Sequence, residues 1–360
     1  MKKKIWIIVS AILVILVLLG VIFMIGSKAT LQITAPTEVV CSYNDIANSY
    51  ISSLEESVNV SAYAVPMEDS ATDVIISWEF DGNATEYLVE YAPNSGYANA
   101  IQVVTTDKQI AVRNLYKATK YYLRVTAYDG EKVIGMDEST FETAKEGPRV
   151  MSVDGLYNVR DVGGYETESG KWIKQGLIYR GCEMNGDHDL ALTGAGDKVM
   201  STELKIALDL DLRSPEEANG ATRSPISSAE LVYIPLGGYL GAFEEYREEY
   251  RKVFATLAEE ENYPVYIHCW GGADRTGTVC FLLGALLGMS ETELIQDYEF
   301  TSFSMFGERN YHGTAYDFKP FVDMLKTYPG NTLSEKTENY LLSIGVTKEE
   351  IDDIRQIMLA

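Results

Sequence analysis

The chain has 360 residues, 46% of them hydrophobic and 23% charged, which is the composition of a globular protein long enough for two domains with appendages. Its 53 acidic and 30 basic residues give a formal net charge of -23 at pH 7. Such a surface repels nucleic acid and anionic lipid headgroups, so neither is expected as a general partner.

The first element along the chain is an uncharged apolar run from Ile5 to Ile25. At about 1.5 Å per residue, a helix of this length matches a bilayer core of roughly 30 Å. The run exceeds the roughly 7 to 15 apolar residues of a signal peptide, so residues 1–30 are predicted to be an uncleaved anchor, with cleavage and secretion as the alternative. The lysines at positions 2–4 should stay in the cytoplasm, which places the rest of the chain outside it.

A linker is predicted for residues 31–56, and short alternating runs then fill residues 57–145. Examples are DVIISWEF, EYLVEYA and KYYLRVTAY. Period-two alternation at this spacing indicates an antiparallel sandwich, with Trp78 as a core anchor.

These runs resemble a fibronectin type III domain. Leu115, Thr119 and Tyr121 match that family's L-x-P-x-T-x-Y corner, in which the tyrosine hydroxyl bonds back to the chain. Lys117 stands where the family usually has proline. The resemblance implies a spacer or a partner-binding module, and no catalytic residue.

The pattern changes after the segment AKEGPRV, which suits a domain boundary. Strand-like runs now alternate with helical ones over residues 146–360. The strands include KIALDLDLR and PVYIHC, and the helices include FEEYREEYRKVFATLAEE, which starts at Phe243, and RTGTVCFLLGALLG. This alternation predicts an α/β domain with a largely parallel central sheet.

The segment HCWGGADRTG joins the strand PVYIHC to the helix that follows. A strand, a glycine-bearing loop and a helix together place an anion at the helix N-terminus. Gly271 and Gly272 allow a tight curve that turns amide groups inward, and Arg275 can add a bidentate charged contact to phosphate. The loop Trp270, Gly271, Gly272, Ala273, Asp274 and Arg275 is therefore a candidate phosphate cradle.

Cys269 lies at the start of this loop. A helix N-terminus and a neighbouring arginine favour the thiolate form of a cysteine, so Cys269 is expected to be ionised at neutral pH. A thiolate in this place can attack phosphorus while the loop donors stabilise charge on the other oxygens.

The spacing C-x5-R followed by Thr-Gly resembles the signature loop of cysteine-dependent bacterial tyrosine phosphatases. Further segments match that group in order, namely NVRDVGGY, GLIYRGCEM, LDLRSPEE and DYEF. The resemblance implies that Cys269 is the nucleophile, Arg275 the phosphate clamp and Asp274 the general acid. A structural contact to the loop remains the alternative role for Asp274, and Asp211 is the alternative acid.

The same resemblance suggests supporting roles. Thr276 would donate to the cysteine sulfur and His268 would orient the loop, while Arg160 could form a structural ion pair with Asp161 beneath it. Members that act on phosphoinositides usually carry lysine where this chain has Ala273, which weakens a lipid-phosphatase reading. Trp270 either stacks on a phosphotyrosine ring or packs inward.

The sequence thus predicts a membrane-anchored, extracytoplasmic phosphatase that acts on phosphotyrosine proteins or small phosphomonoesters without a metal or other cofactor. Phosphoinositide or inositol phosphate hydrolysis is one alternative, and a catalytically weak surface adhesion or phospho-binding protein is another. The oligomeric state, the role of the sandwich and the pairing of Cys41 and Cys182 stay open.

Overall fold

The structure, a computed structural model, describes residues 29–53, 59–63, 71, 73–185 and 190–360. The predicted anchor from Ile5 to Ile25 lies outside the described residues. Within the described ranges, no helix combines the length and apolar character needed to cross a bilayer. The chain divides into two compact units, of which the smaller contains described residues 29–35, 76–110 and 122–140.

The first strands along the chain are short and mostly antiparallel. They are β1 (Leu31–Thr34), β2 (Glu38–Val39), β3 (Val74–Phe80), β4 (Glu86–Ala92), β5 (Ile101–Thr105), β6 (Gln109–Val112), β7 (Lys120–Asp129) and β8 (Lys132–Thr143). In the smaller unit β1 pairs antiparallel with β3, and β4 pairs antiparallel with both β5 and β7. Every second residue of β3 faces inward, because successive strand side chains point to opposite faces. Trp78 is 1% exposed and lies 5.2 Å from the Tyr87 ring, so the predicted core anchor is confirmed.

The larger unit contains the described residues within the ranges 36–75, 111–121 and 141–360. It includes the predicted tyrosine corner, where the Tyr116 amide donates to the Tyr121 hydroxyl at 2.9 Å. Lys117 is buried there, and its ammonium donates to the Gly147 carbonyl and lies 4.1 Å from the centre of the Tyr165 ring. Burial lowers the pKa of Lys117 to about 8.

The central sheet of the larger unit has the order β13-β12-β14-β11-β10-β9. Its strands are β9 (Arg149–Val150), β10 (Arg160–Asp161), β11 (Ile178–Gly181), β12 (Leu208–Asp211), β13 (Glu230–Tyr233) and β14 (Val265–His268). Strands β11 to β14 pair in parallel, whereas β10 runs antiparallel to both β11 and β9. The prediction of a largely parallel sheet is confirmed.

The helices of the larger unit are α1 (Asp45–Ser52), α2 (Gly194–Lys198), α3 (Pro215–Ala218), α4 (Arg247–Leu257), α5 (Arg275–Leu287), α6 (Glu291–Glu299), α7 (Phe318–Leu325), α8 (Leu333–Ser343) and α9 (Lys348–Met358). A π-helical turn (Val199–Glu203) follows α2, and 3-10 turns occupy Val60–Ala62, Tyr239–Ala242, Glu260–Asn262 and Phe300–Phe303. The helix predicted from Phe243 begins only at Arg247, because residues 243–246 form a turn that follows the 3-10 turn Tyr239–Ala242. Helix α5 is buried on almost every side, as expected of a core helix.

Part of the segment predicted as a linker packs against the end of α6. Tyr43 stacks on Phe300 with ring centres 5.1 Å apart, and Tyr50 lies 5.4 Å from Phe303. The Tyr50 hydroxyl donates to Glu299 Oε2 at 2.5 Å. Helix α1 therefore contributes buried side chains to the larger unit.

Candidate active site

The loop between β14 and α5 curves because its two glycines have no side chain. Gly272 has a φ of +65°, and a Cβ on it would lie 2.2 Å from the Gly181 carbonyl oxygen. A Cβ on Gly271 would meet the Phe306 ring at 2.8 Å. Close packing on both sides thus reserves these positions for glycine and fixes the curve of the loop.

Donors beneath the loop bind its carbonyl groups. Asn158 Nδ2 donates to the Gly271 oxygen at 3.0 Å, and Arg180 Nη2 donates to the Gly272 oxygen at 2.7 Å. In a trans peptide the N–H points opposite to the C=O. The amide groups of Gly272 and Ala273 therefore point away from Asn158 and Arg180, as an anion cradle requires.

A buried ion-pair network fixes these donors. Arg160 Nη1 donates to Asn158 Oδ1 at 2.6 Å, and Arg160 Nε donates to Asp297 Oδ1 at 2.7 Å. Asp297 Oδ2 accepts from Arg180 Nη1 at 2.5 Å. Burial would raise the pKa of Asp297, but the two guanidinium groups hold it below its usual value.

The predicted ion pair between Arg160 and Asp161 is wrong. Asp161 instead pairs with Arg149 at 2.7 Å, while Arg160 pairs with Asp297. The two residues are neighbours in β10, so their side chains leave opposite faces of the sheet and meet different partners.

Arg275, the first residue of α5, faces Glu217 of α3. Its Nη2 donates to Glu217 Oε1 at 2.7 Å and its Nη1 donates to Oε2, using two of the five N–H groups of a guanidinium. Ser214 caps α3 and its amide donates to the same carboxylate at 2.8 Å. The bonds from Arg275 lower the pKa of Glu217 to about 2.

The carboxylate of Asp274 has donors on both oxygens. Arg309 Nε donates to Oδ1 at 2.7 Å, Arg309 Nη2 donates to Oδ2 at 2.9 Å, and the Tyr239 hydroxyl also donates to Oδ1. The Asp274 side chain is 34% exposed, so solvent still reaches it. The Asp274 carbonyl accepts from the amide and the hydroxyl of Thr278, each at 2.8 Å, which anchors the residue to α5.

Cys269 and His268 lie where β14 meets the loop. Cys269 is buried, and its carbonyl oxygen is 3.2 Å from His268 Nδ1. His268 Nε2 lies 3.0 Å from Asp209 Oδ1. Burial alone would lower the pKa of His268, yet the carboxylates of Asp209 and Asp211 hold it above its ordinary value. These contacts lie at the start of the loop, and the role of His268 in orienting that loop stays a prediction.

Two other predicted residues behave differently. Thr276 Oγ1 is buried and has no hydrogen-bond partner among the described residues, so the expected bond to the Cys269 sulfur is not formed in this structure. Asp211 is fully buried and accepts from Arg213 Nη2 at 2.7 Å and Nε at 2.9 Å. A carboxylate enclosed in this way cannot reach a leaving group, which argues against Asp211 as the alternative acid.

The aromatic wall at Trp270 is only partly buried. Its side chain is 37% exposed, and its ring meets Phe306 edge to face at 5.4 Å between centres. Ala273 is buried in the loop and brings no charge. The four cysteines, including Cys41 and Cys182, are free thiols.

The site includes residues to which the sequence pattern assigned no role. They are Glu217, Tyr239, Arg309, Arg180 and Asp297. Glu217, Arg180 and Asp297 lie in segments that resemble the phosphatase group, namely LDLRSPEE, GLIYRGCEM and DYEF, so their position in a matching motif is a usable signal. Arg309 had no such signal.

Comparison with known families divides the chain in two. A model described as "Tyrosine phosphatase family" matches residues 151–360, and one described as "Fibronectin type III domain" matches residues 60–138. The first match covers more than half of the chain.

Individual relatives are distant. A protein of Cupriavidus necator that carries a tyrosine-protein phosphatase name is 25% identical over 176 residues, covering 42% of this chain and 63% of the relative. A tyrosine-protein phosphatase of Nostoc commune is 26% identical over 131 residues, covering 30% of this chain and 43% of the relative. The chain thus spans less than two thirds of either relative. The core catalytic domain of a PP-IP phosphatase from S. cerevisiae, solved with citrate, shares 17% identity at a TM-score of 0.30, over 49% of this chain and 87% of that one.

Proposed function

Because the chain belongs to the tyrosine phosphatase family, we propose that it hydrolyses phosphomonoesters, with phosphotyrosine as the preferred group, through a cysteinyl-phosphate intermediate. The proposal depends on the geometry of the loop between β14 and α5. Cys269 follows the end of β14, Arg275 begins α5, and the carbonyls between them are tied to Asn158 and Arg180. That arrangement leaves the loop amides to bind phosphate oxygens.

The reaction proceeds in two displacements. The Cys269 thiolate attacks phosphorus, the S–P bond forms, and the bond to the leaving oxygen breaks as Asp274 supplies a proton to that oxygen. Water then attacks the phosphocysteine, gives a proton back to Asp274, and releases phosphate and the thiolate. The loop amides and Arg275 stabilise the negative charge on the remaining phosphate oxygens in both steps.

Arg275 acts as the phosphate clamp. Its pairing with Glu217 holds the planar guanidinium at the start of α5, where the helix N-terminus also favours anions. Such a fixed charged donor lowers the barrier because it need not reorganise when charge develops on phosphate.

Two features favour an aryl phosphate. Trp270 presents a partly exposed aromatic surface beside the nucleophile, and Ala273 supplies no ammonium for a second phosphate group. An aromatic substrate ring can stack on such a surface with a gain of about 0.5 to 1.5 kcal/mol. These observations support phosphotyrosine over phosphoinositide or inositol phosphate.

The proposal extends to the whole chain. Residues 1–30 would anchor it in a membrane, and the fibronectin type III domain and the catalytic domain would lie outside the cytoplasm. Membrane fractionation of the full chain, compared with a chain lacking residues 1–30, tests the anchor. Recovery of both chains in the soluble fraction would contradict it.

The activity is tested with the full chain in the presence of a chelator. Rates on phosphotyrosine peptides, phosphoserine peptides, phosphoinositides and inositol phosphates are compared, and phosphotyrosine should give the highest kcat/KM. Cys269→Ser should lower turnover roughly 1,000-fold or more while vanadate still binds. Turnover by Cys269→Ser at the wild-type rate would contradict the proposed nucleophile, and faster turnover of phosphoinositides would favour the lipid alternative.

A further inference from the structure

Tyr239 and Arg309 reach the candidate acid from outside the loop. Arg309 binds both oxygens of Asp274, and the Tyr239 hydroxyl binds Oδ1. Tyr239 belongs to the 3-10 turn before α4, whereas Arg309 lies between the turn Phe300–Phe303 and α7. Two separate elements therefore converge on one carboxylate.

Both donors are themselves held in place. The Arg309 amide donates to Ser302 Oγ at 2.8 Å, and that hydroxyl donates to the Arg309 carbonyl at 2.9 Å. The Arg309 side chain is 5% exposed, and its guanidinium lies 4.0 Å from the centre of the Tyr316 ring. This arrangement leaves the guanidinium little freedom to move away from Asp274.

Tyr239 is fixed at its backbone. Its amide donates to Thr278 Oγ1 at 2.9 Å, and its φ of +57° is unusual for a residue with a large side chain. Its hydroxyl also lies 2.8 Å from that of Tyr298. A sparsely populated backbone conformation next to a candidate site is consistent with a precise positioning role.

The two oxygens of Asp274 are engaged unequally. Oδ1 accepts from Arg309 and from Tyr239, so both of its lone pairs are used, whereas Oδ2 accepts only the bond from Arg309 among the described residues. Oδ2 is consequently the oxygen with capacity for the proton.

We propose that Tyr239 and Arg309 are positioning residues that orient Asp274 so that Oδ2 carries the proton to the leaving group. This inference rests on the proposed function. When the P–O bond breaks, the leaving oxygen takes the proton from Oδ2, and Arg309 balances the carboxylate charge that results. In the second step the attacking water returns a proton to Oδ2.

A purely structural role for these residues predicts a different outcome. If Tyr239 and Arg309 only hold their segments in place, their loss should slow all substrates equally. If they position the acid, the loss should be greatest for poor leaving groups, because those need the proton most. Leaving-group dependence therefore separates the two roles.

The experiment measures kcat/KM of the full chain on p-nitrophenyl phosphate, phenyl phosphate and an alkyl phosphate. Asp274→Asn should lose about 100-fold on phenyl phosphate and only a few fold on p-nitrophenyl phosphate. Tyr239→Phe and Arg309→Met should each lose about 10-fold on phenyl phosphate, with little loss on p-nitrophenyl phosphate. Combined with Asp274→Asn, neither should cost anything more, because the group they orient is already gone.

The matched control is Tyr340→Phe. Its hydroxyl donates to the Ala242 carbonyl at 2.6 Å, so it holds the same 3-10 turn without contacting Asp274. Any loss in Tyr340→Phe should be equal across the substrates. Vanadate affinity should be unchanged in Tyr239→Phe, which shows that the loop is intact.

Two outcomes overturn the inference. Equal losses across the leaving-group series for both Tyr239→Phe and Arg309→Met would show a structural role, and so would losses that persist in the Asp274→Asn background. If Arg309→Met does not fold, Arg309→Lys and Tyr239→Phe decide the question. Failure of the wild-type chain to hydrolyse any aryl phosphate would instead overturn the proposed function, and this inference with it.

Discussion

Arg275 and Glu217 form a two-bond pair in which Arg275 Nη2 donates to Glu217 Oε1 at 2.7 Å. The capping amide of Ser214 binds the same carboxylate, so the capping box from Ser214 to Glu217 also holds Arg275, the proposed phosphate clamp. The clamp is therefore positioned by an element 58 residues earlier in the chain.

Glu217→Gln should weaken the clamp without unfolding its helix, because glutamine can still complete a capping box. The uncharged amide of glutamine makes weaker hydrogen bonds to the Arg275 guanidinium than the carboxylate does. Vanadate affinity and kcat/KM should therefore both fall about 10-fold. The loss should be equal for good and poor leaving groups. Glu216→Gln on the same helix is the control, and unchanged vanadate affinity in Glu217→Gln would refute the role.

The same pair should make stability sensitive to acid. The pKa of Glu217 is lowered from 4.5 to about 2, so its contribution is fully present above pH 4.5 and is lost as pH falls toward 2. The difference in Tm between the wild type and Glu217→Gln should be constant from pH 7 to pH 5 and should shrink below pH 4.5. A difference that does not change with pH down to 2 would count against the pairing.

Asp297→Asn should destabilise the protein strongly. The change leaves the buried guanidinium groups of Arg160 and Arg180 without their shared carboxylate, and breaking a buried ion pair costs about 3 to 5 kcal/mol. Denaturant unfolding measures the loss. Asp323→Asn is the control, since Asp323 pairs with Lys319 on the surface and should cost less than about 1 kcal/mol. Similar losses for both variants would contradict the network.

Tyr50→Phe tests whether helix α1 stabilises the larger unit. The change removes the hydroxyl that donates to Glu299 Oε2. Burial already disfavours the charged form of Glu299 and raises its pKa. Leaving a buried polar group without its hydrogen bond costs about 1 to 3 kcal/mol. The unfolding midpoint should fall accordingly. Ser49→Ala, at an exposed position of the same helix, should leave it unchanged. A fragment that begins at residue 146 should be less stable still, and a fragment as stable as the full chain would show that α1 is dispensable.

The pH dependence of the stability difference between the wild type and Lys117→Met should reveal that the Lys117 ammonium is buried. Because the pKa of Lys117 is about 8 in the folded protein and 10.5 otherwise, the unfolded chain binds more protons between these values. The stability of the wild type relative to Lys117→Met should therefore rise from pH 8 to pH 10.5. Lys120→Met, at an exposed position, is the control and should show no such trend. If the stability difference between the wild type and Lys117→Met did not change with pH, burial of the charge would be contradicted.

The sequence revealed those parts of the site that are close together along the chain. The strand, the glycine loop and the helix from His268 to Arg275 form one continuous segment, so their spacing alone predicts a phosphate cradle. The alternation in β3 likewise predicts Trp78 in the core, since period two determines which side chains face inward.

The residues that contact the loop from distant parts of the chain could not be predicted from local sequence spacing. Arg309 meets Asp274 from 35 residues away, and Arg160 meets Asp297 from 137 residues away. No local periodicity encodes such distances, which depend on how the strands are ordered in the sheet. Arg160 and Asp161 are adjacent in sequence, but neighbours in a strand face opposite sides, so adjacency does not identify their ion-pair partners.

The bond between Tyr50 and Glu299 joins residues that are 249 positions apart. A ribosome adding about 5 to 20 residues per second needs roughly 10 to 50 s to make the second partner after the first. Throughout that interval α1 lacks Phe300 and Phe303, the later part of the apolar surface that covers it in the folded unit. Complete packing of α1 therefore waits for a long-range contact that can close only late in synthesis.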